Sequence, residues 1–259
     1  MDDIPLKFTI ATVTYNAAAL LQRTIESVAN QDYPYVEHLF VDGNSQDGTL
    51  EIYHHYQESN STASVRHELV AVSEPDEGLY DAMNKALDMA TGDYILFLNA
   101  GDCLHATDTL SRVAAVATAR PAVIYGHTDI VDEAGNFVRR RRLEPSAGLT
   151  WRSFRHGMLV CHQSFFARTD LARSTRFDCR YRLSADFDWC IRIMRKAQWQ
   201  RLSLQQADFV VSDYLAEGLS TRNHKASLRE RFCIMARHYG WISTSLMHLW
   251  FVVRAFIKK

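Results

Sequence analysis

Hydrophobic and polar positions in the first hundred residues follow two alternating periods. Short apolar runs rich in β-formers indicate strands, and stretches with apolar residues at helical spacing indicate helices. The predicted strands are residues 8–15, 36–41, 65–72 and 94–98, and the predicted helices are 17–30, one beginning after Asp47, and 79–90. This alternation predicts right-handed βαβ units, and therefore a Rossmann-like α/β fold with a mainly parallel central sheet flanked by helices.

Beyond residue 102 the pattern is less regular. It predicts helices at 108–119 and 187–197, strands at 122–125, 137–143, 163–167 and 209–211, and closing helices at about 225–239 and 241–257. Because no linker or repeat interrupts it, we expect one domain over residues 1–220 and a C-terminal helical segment over 221–259. Within the domain we expect a nucleotide half, about 1–102, and an acceptor half, 103–220.

Composition indicates an uneven distribution of charge along the chain and a reducing cellular compartment. The chain has 259 residues, 47% hydrophobic, and a net charge of −1. Residues 1–100 hold 4 Lys and Arg against 16 Asp and Glu, whereas the remainder holds 25 against 14. A basic second half suggests an anionic partner, with an ordinary solvated surface as the alternative. Five scattered cysteines without a CxxC pair indicate a reducing compartment, and the acidic start MDDIP is not a secretory signal, so we expect a cytoplasmic protein.

Polar or small residues follow every predicted strand of the first half. In open α/β sheets, ligands bind beyond the carboxyl ends of the strands. Those ends carry Asn16, Asp42-Gly43, Ser73-Glu74 and Asn99–Asp102. No GxGxxG or GxxxxGK[ST] motif accompanies them, which argues against a dinucleotide or P-loop site. The sequence therefore predicts a site of another kind at this edge.

Asp42 ends a predicted buried strand, where a carboxylate without a donor is costly. A nucleobase N–H is a suitable donor, and Tyr15 offers a ring for stacking. The alternative is a turn, because Asp-Gly and Asn-Ser are common turn formers; Asp47 is better explained as a helix cap.

Further along the chain, Gly78 begins a predicted helix, and acids such as Asp76 lie close to it in sequence. Near these acids, ligand hydroxyls or a metal-bridged diphosphate would bind better than a bare phosphate. The alternative is that the acids only stabilise the start of the helix.

Two more carboxylates are candidates for chemistry. In FLNAGD, Asp102 follows a strand and a glycine that permits close backbone approach, so it can hold Mg²⁺ or Mn²⁺; a β-turn is the alternative. In ADFDW, Asp186 and Asp188 cannot share one helical face and should differ in role. Asp188 can pair with Arg192, which leaves Asp186 as a general base, although Asp186 as the helix N-cap is the alternative.

Six segments in one order, TVTYN, VDGNSQDGT, EPDEGLYDAMNKAL, FLNAGD, HQSFF and ADFDW, resemble the inverting family 2 glycosyltransferases of the GT-A fold. The similarity covers about residues 8–220 and is nearest to bacterial enzymes of colanic acid and exopolysaccharide biosynthesis. It implies a metal-dependent glycosyltransferase that moves a sugar from a UDP- or GDP-sugar to a saccharide or polyprenyl-diphosphate-linked acceptor. It implies no nucleic-acid partner.

The resemblance also implies roles for individual residues. Asp186 matches the general base and Asp102 the metal ligand, whereas Asn99 stands where the family's DxD motif usually has its first Asp. The residues implied to bind the nucleotide sugar are Thr14, Tyr15, Asn16, Asp42, Asp76, Asn84, Asn99 and Gly101. Further candidates for donor or acceptor contacts are His162, Gln163 and Asp188, with a buried structural role as the alternative for His162.

The end of the chain indicates a surface contact. Residues 241–257 are marginal in length for a membrane span and are interrupted by His248 and Arg254. Their aromatic and basic residues fit an interfacial helix at the inner face of the cell membrane, with a helix packed on the core as the alternative. His224 is a candidate metal or diphosphate ligand, although a loop residue is favoured. Two other functions stay open: a catalytically silent sugar-nucleotide-binding partner and a sugar-phosphate nucleotidyltransferase.

Overall fold

The structure is a computed structural model that describes residues 5–216 and 223–257, without the side chains of residues 224, 252 and 254–257. Its strands are β1 (Phe8–Thr14), β2 (Val36–Asp42), β3 (Glu68–Ser73), β4 (Tyr94–Phe97), β5 (Cys103–Leu104), β6 (Val123–Val131), β7 (Phe137–Arg140), β8 (Phe165–Arg168) and β9 (Leu204–Leu215). Its helices are α1 (Ala18–Ala29), α2 (Thr49–Thr62), α3 (Leu79–Met89), α4 (Thr109–Val116), α5 (Thr169–Arg173), α6 (Ala185–Trp199), α7 (His224–Tyr239) and α8 (Trp241–Ile257).

The strands form one sheet in the order β3-β2-β1-β4-β8-β6-β9-β5, with β7 beside β6. Strands β1 to β4 are parallel, which confirms the predicted βαβ units. Strand β8 runs antiparallel to β4 and to β6, so the second half of the sheet is mixed rather than parallel. Helices α1, α2 and α4 pack on one face and α3, α5 and α6 on the other.

Strands β6 and β9 are longer than the sequence predicted. Polar residues continue both strands, because Thr128 of β6 and Ser212 of β9 both hydrogen-bond the Ser164 hydroxyl inside the protein. Because each buried hydroxyl has a partner, a polar position continues the strand at little cost. Through the pairing of β5 with β9, the sheet also includes Cys103 and Leu104, which follow β4.

Helix α6 is fixed under the end of β4 by aromatic packing. The ring of Trp189 stacks on Phe177 with centroids 4.8 Å apart and meets Phe97, the last residue of β4, edge-on at 5.8 Å. All three rings are buried, and each contributes on the order of 1.5–3 kcal/mol of hydrophobic stabilisation. The first turn of α6, which carries two acids, therefore lies close to the carboxyl ends of the central strands.

The second of those acids joins α6 to α7. Asp188 is fully buried, and its carboxylate accepts hydrogen bonds from Arg192 Nε at 2.6 Å and His238 Nε2 at 2.7 Å. The pairing with Arg192 matches the sequence prediction, and His238 adds a second partner. Burial would raise the pKa of Asp188, but these two partners lower it, so the carboxylate is ionised at neutral pH.

Helix α8 has two apolar faces. Met247 and Phe251 pack against the core, whereas Ile242, Leu246, Leu249, Trp250 and Val253 are exposed. Among the described residues, no helix combines the length and apolar content needed to cross a bilayer.

Candidate functional site

The carboxyl ends of β1, β2 and β4 lie side by side, because β1 is between the other two strands. In the β1–β2 register, Thr14 is directly opposite Asp42. The segment after β2 continues across this edge, where Gly43 N donates to Thr14 O. The edge that the sequence predicted as a site therefore carries Asp42 on one side and residues 99–102 on the other.

Asp42 is buried and held by four hydrogen bonds. Its Oδ1 accepts from Thr14 Oγ1 at 2.9 Å and Ser45 Oγ at 2.5 Å, and its Oδ2 accepts from Ser45 N at 2.9 Å and Ser73 Oγ at 2.7 Å. Burial would raise the pKa of Asp42, but these bonds lower it. A carboxylate offers about four acceptor positions, so a nucleobase N–H can reach Asp42 only where a hydroxyl turns away. Ser73 is exposed and its hydroxyl can do so.

Tyr15 and Asp76 stand on either side of Gly43. A side chain at position 43 would meet Asp76 Oδ2 at 2.6 Å and the Tyr15 ring at 3.3 Å, so only glycine leaves room between them. The Tyr15 side chain is 67% exposed and presents a free ring face. Asp76 accepts a hydrogen bond from Gly78 N at 2.8 Å, at the start of α3. The side chains of Tyr15 and Asp76 are therefore close together beside Gly43, which follows Asp42 in the chain.

Three other predicted residues have internal partners. Asn16 has a positive φ of 48° and its Oδ1 accepts from Gln46 N, so it shapes the turn. Asp47 accepts from the N–H groups of Thr49 and Ala18, at the starts of α2 and α1, but the N-cap of α2 is Gly48 and not Asp47 as predicted. Asn84 is buried, and its side-chain amide bonds both N–H and C=O of Phe177 instead of facing the edge of the sheet. Asn84 therefore has a packing role in place of the predicted contact with a nucleotide sugar.

Asp102 lies just below the surface of the edge. It is 4% exposed, and its carboxylate accepts hydrogen bonds from Gln163 Nε2 at 2.7 Å and Leu215 N at 2.9 Å. Burial raises the pKa of Asp102 to about 6, although both hydrogen bonds act in the opposite direction. Gly101 has a φ of 98°, and a Cβ there would lie 2.8 Å from Leu215 Cδ2, so the glycine is needed for this approach.

Asp186 is in the first turn of α6, after the N-cap residue Ser184, so it is not itself the cap. Its Oδ1 accepts from Tyr80 Oη at 3.1 Å, and its Oδ2 lies 3.0 Å from His162 Nδ1. Burial would raise the pKa of Asp186, but His162 lowers it, with smaller contributions from Arg231 and Tyr80. An ionised carboxylate with 13% side-chain exposure is suited to accept a proton from a bound hydroxyl.

Asn99 extends this group. Its Nδ2 lies 3.2 Å from His162 Nε2, and its Oδ1 is buried with no hydrogen-bond partner in the described part of the chain. With the amide oriented in this way, Nε2 is the acceptor and Nδ1–H of a neutral imidazole donates to Asp186. Asn99, His162, Asp186 and Tyr80 thus form one hydrogen-bonded series.

The two predicted chemical acids are joined by two consecutive residues. His162 contacts Asp186, and Gln163 contacts Asp102. Both belong to a short 3-10 helix, His162–Ser164, that leads into β8. Asp102 and Asp186, 84 positions apart in the sequence, are therefore each held by one of two consecutive residues.

The oxygen atoms at this place suit a hard divalent cation. Asn99 Oδ1 has no donor, and the Asp102 carboxylate is buried without a cationic partner within ion-pair distance in residues 5–216 and 223–257. Amide and carboxylate oxygens are the ligands that Mg²⁺ and Mn²⁺ prefer. The residues present fit such an ion.

Two hollows differ in their relation to the site. One of about 180 Å³ is lined by Thr14, Asp42 and Ser73 together with residues of α1, α2 and β3. It is smaller than the roughly 300–1,000 Å³ of a typical ligand pocket, so it suits part of a nucleotide sugar. A larger hollow of about 680 Å³ lies where α7 meets α8, and no predicted site residue lines it.

Sequence reasoning missed two contacts that shape the site. Tyr80 was part of the quoted GLYDAMN segment, yet only the fold reveals that its hydroxyl reaches Asp186. Leu215 binds Asp102 through its backbone N–H, which no residue type signals. The side chain of His224 lies outside the described residues.

Comparisons with known proteins identify similar chains. Residues 9–178 match the family described as Glycosyl transferase family 2. The chain is 36% identical over 188 residues to a PGL/p-HBAD biosynthesis glycosyltransferase of Mycobacterium bovis, which covers 71% of this chain and 68% of that protein. It is 25% identical over 197 residues to the amylovoran biosynthesis glycosyltransferase AmsB of Erwinia amylovora, which covers 72% and 64%.

Solved structures show the same fold. S. aureus TarS 1-349 in complex with UDP-GlcNAc superposes with a TM-score of 0.69 at 20% identity, over 89% of this chain and 67% of that one. The mannosyltransferase PcManGT of Pyrobaculum calidifontis, in complex with GDP-Man and Mn²⁺, gives 0.67 at 19% identity, over 96% and 73%. The predicted GT-A fold is confirmed. The chain spans about two thirds of the length of the first of these relatives.

Proposed function

The chain belongs to glycosyl transferase family 2, and from this premise we propose that it is an inverting enzyme with a nucleotide-diphosphate sugar as donor. The acceptor is a saccharide, carried on a polyprenyl diphosphate, in the assembly of a bacterial surface glycan. The relatives named for PGL/p-HBAD and amylovoran biosynthesis support this kind of product. The complexes of neighbours with UDP-GlcNAc and GDP-Man support a UDP- or GDP-sugar.

One observation carries the proposal: His162 and Gln163, adjacent in the chain, contact Asp186 and Asp102 respectively. The base for the acceptor and the carboxylate that would hold a metal beside the donor's diphosphate are thereby supported by neighbouring residues. Asp186 accepts the proton of the acceptor hydroxyl while that oxygen attacks the anomeric carbon from the face opposite the diphosphate. A single displacement of this kind inverts the anomeric configuration.

We assign the nucleobase to the exposed ring of Tyr15, which follows Thr14, the register partner of Asp42. The exposed ring of Tyr15 stacks on the base, and the Ser73 hydroxyl turns away so that Asp42 accepts the base N–H. Thr14 keeps the Asp42 carboxylate in place. Residues 1–102 are then the donor half, and residues 103–220 the acceptor half.

The metal is proposed to be Mg²⁺ or Mn²⁺, held by Asp102 and Asn99. When bound, it supplies positive charge beside the diphosphate leaving group. Residues of the chain position both carboxylates: Gln163 and Leu215 N hold Asp102, and His162 orients Asp186.

We also propose that α8 contacts the cytoplasmic face of the membrane, where a polyprenyl-linked acceptor resides. Its outward face carries Ile242, Leu246, Leu249 and Val253 at helical spacing, and Ile242 is 81% exposed. Residues 223–257 contain five Lys and Arg against one acid, a balance that favours anionic headgroups.

The test is product analysis with the full chain, Mn²⁺, nucleotide sugars and polyprenyl-diphosphate-linked saccharides. Release of nucleoside diphosphate with a glycosylated acceptor is expected; pyrophosphate would instead indicate a nucleotidyltransferase. Asp186→Asn should reduce transfer by about 10²–10⁴-fold, the usual worth of a general base, while donor binding by calorimetry is retained. The exposed Asp208→Asn is the matched control and should transfer normally.

Two results would contradict this assignment. Full transfer by Asp186→Asn would remove Asp186 as the base. Donor binding without transfer to any acceptor by the wild-type chain would favour the catalytically silent sugar-nucleotide-binding partner.

A further inference from the structure

A second group of metal-ligating side chains lies away from the proposed donor site. His105 follows β5, Asp129 is in β6 and Asp213 is in β9. One ligand atom from each, an imidazole nitrogen and two carboxylate oxygens, lies within 4.8 Å of the other two. None of these residues takes part in the reaction proposed above.

The sheet register forces the two acids together. Asp129 and Asp213 are direct partners in the parallel pairing of β6 with β9, so their side chains leave the same face of the sheet. Neighbouring strands are about 4.8 Å apart, and two carboxylates at that spacing repel each other unless a cation is present. Cys103 is the β5 partner of Asp213, which brings His105 to the same place.

The Asp129 carboxylate lacks a hydrogen-bond partner of the kind that Asp213 has. His105 Nδ1 lies 2.8 Å from Asp213 Oδ1, so Asp213 has a partner within the protein. Asp129 is only 9% exposed, yet within residues 5–216 and 223–257 its carboxylate has no hydrogen bond or ion pair. Arg140 is its register partner in β7, but no ion pair joins the two.

The Arg112 guanidinium, on helix α4, is already engaged. Arg112 lies 3.8 Å from Asp108, and its guanidinium carbon is 4.0 Å from the centre of the Phe209 ring. A carboxylate that is 9% exposed, faces a second carboxylate and a histidine, and has no ion pair among the described residues is the arrangement expected at a cation site.

We propose that His105, Asp129 and Asp213 bind one first-row divalent ion, Zn²⁺ or Mn²⁺, separate from any ion at Asp102. One imidazole and two carboxylates suit these ions better than Mg²⁺, which prefers oxygen ligands alone. Ligands of one such ion, each at about 2.1 Å, are at most about 4.2 Å apart, so small side-chain movements from the present 4.8 Å limit are sufficient.

The ion would connect strands that also shape the donor site. His105 comes three residues after Asp102, and Asp213 comes two before Leu215, whose N–H binds the Asp102 carboxylate. A bound ion therefore ties the segment after β4 to the end of β9. This site does not depend on the proposed transferase function, because it needs neither donor nor acceptor.

The test is calorimetric titration of the chelator-treated full chain with ZnCl₂ and with MnCl₂, without nucleotide. We expect binding by the wild type and a loss of at least about tenfold in affinity in Asp129→Asn and in His105→Gln, about 1.4 kcal/mol. The ion should also raise the thermal midpoint of the wild type but not of Asp129→Asn. Asp208→Asn, exposed on the same strand as Asp213, is the matched control and should bind normally.

Asp102→Asn separates the two sites. It should still bind one ion per chain without nucleotide, because His105, Asp129 and Asp213 are intact. The inference is overturned if the wild type binds neither ion, if Asp129→Asn and His105→Gln bind as the wild type does, or if only Asp102→Asn loses binding. His105 is exposed, so His105→Gln gives an answer even where Asp129→Asn folds poorly.

Discussion

The Nδ1 atom of His162 lies 3.0 Å from Oδ2 of Asp186. Because Asn99 Nδ2 faces the other ring nitrogen, the imidazole is held in the tautomer that donates to the carboxylate. A base with a fixed hydrogen-bond donor on one oxygen presents its remaining lone pairs in a defined direction. His162 is therefore a positioning residue for the proposed base.

Replacement of His162 should change the pH profile of transfer. His162 lowers the pKa of Asp186, so His162→Ala raises that pKa. A base acts when deprotonated, so the acid-side limb of kcat/KM against pH should move to higher pH, with donor KM little changed. His162→Gln should restore part of the rate. The matched control is His127→Ala, a half-buried histidine on β6; an unmoved limb in His162→Ala would contradict the positioning role.

Tyr15→Ala should weaken donor binding without unfolding the protein. Stacking of a base on an aromatic ring contributes about 1–3 kcal/mol, so a loss of roughly tenfold or more in donor affinity is expected. Tyr15→Phe keeps the ring and should bind normally. Tyr35→Ala removes another exposed tyrosine and serves as the control. If calorimetry gives the same donor affinity for the wild type and Tyr15→Ala, the nucleobase binds at another position.

Asp102 should give the metal-free protein a pH-dependent stability. Its pKa is about 6 in the folded state against 3.8 in the reference state, so the folded protein favours the protonated form. The free energy of unfolding should therefore fall as pH rises from about 4 to about 6, by roughly 3 kcal/mol at about 1.4 kcal/mol per pH unit. Urea unfolding of wild type and Asp102→Asn measures the difference. Parallel pH curves for the two proteins would contradict it.

The outward face of α8 should determine membrane binding. Ile242→Ser with Leu246→Ser removes two exposed apolar contacts and should abolish sedimentation with phosphatidylglycerol vesicles. The control pair Phe137→Ser and Val138→Ser, exposed on β7, should sediment as the wild type does. Wild-type binding should weaken in phosphatidylcholine vesicles and at high salt, because part of the attraction is electrostatic. Equal sedimentation of both double variants would exclude α8 as the contact.

The sequence predicted the elements and pairs that depend on local spacing. The first four strands came from apolar periodicity, and the Asp188–Arg192 pair from a separation of four residues. His238 reaches the same carboxylate from 50 positions away, and only the tertiary fold reveals it. Likewise, the hydroxyls that donate to Asp42 come from Thr14 and Ser73 on separate strands, whose register is invisible in one sequence.

His162 and Gln163 are neighbours in the chain, so the side chains that contact Asp186 and Asp102 are tied to each other through one peptide unit. A bulkier acceptor that displaced His162 would therefore also disturb Gln163 at Asp102. Adaptation to acceptor size is easier at the other oxygen of Asp186, which Tyr80 in the first turn of α3 contacts. Residues around position 80 are the ones to randomise in an effort to change which hydroxyl is glycosylated, whereas an insertion between 162 and 163 would uncouple both groups at once.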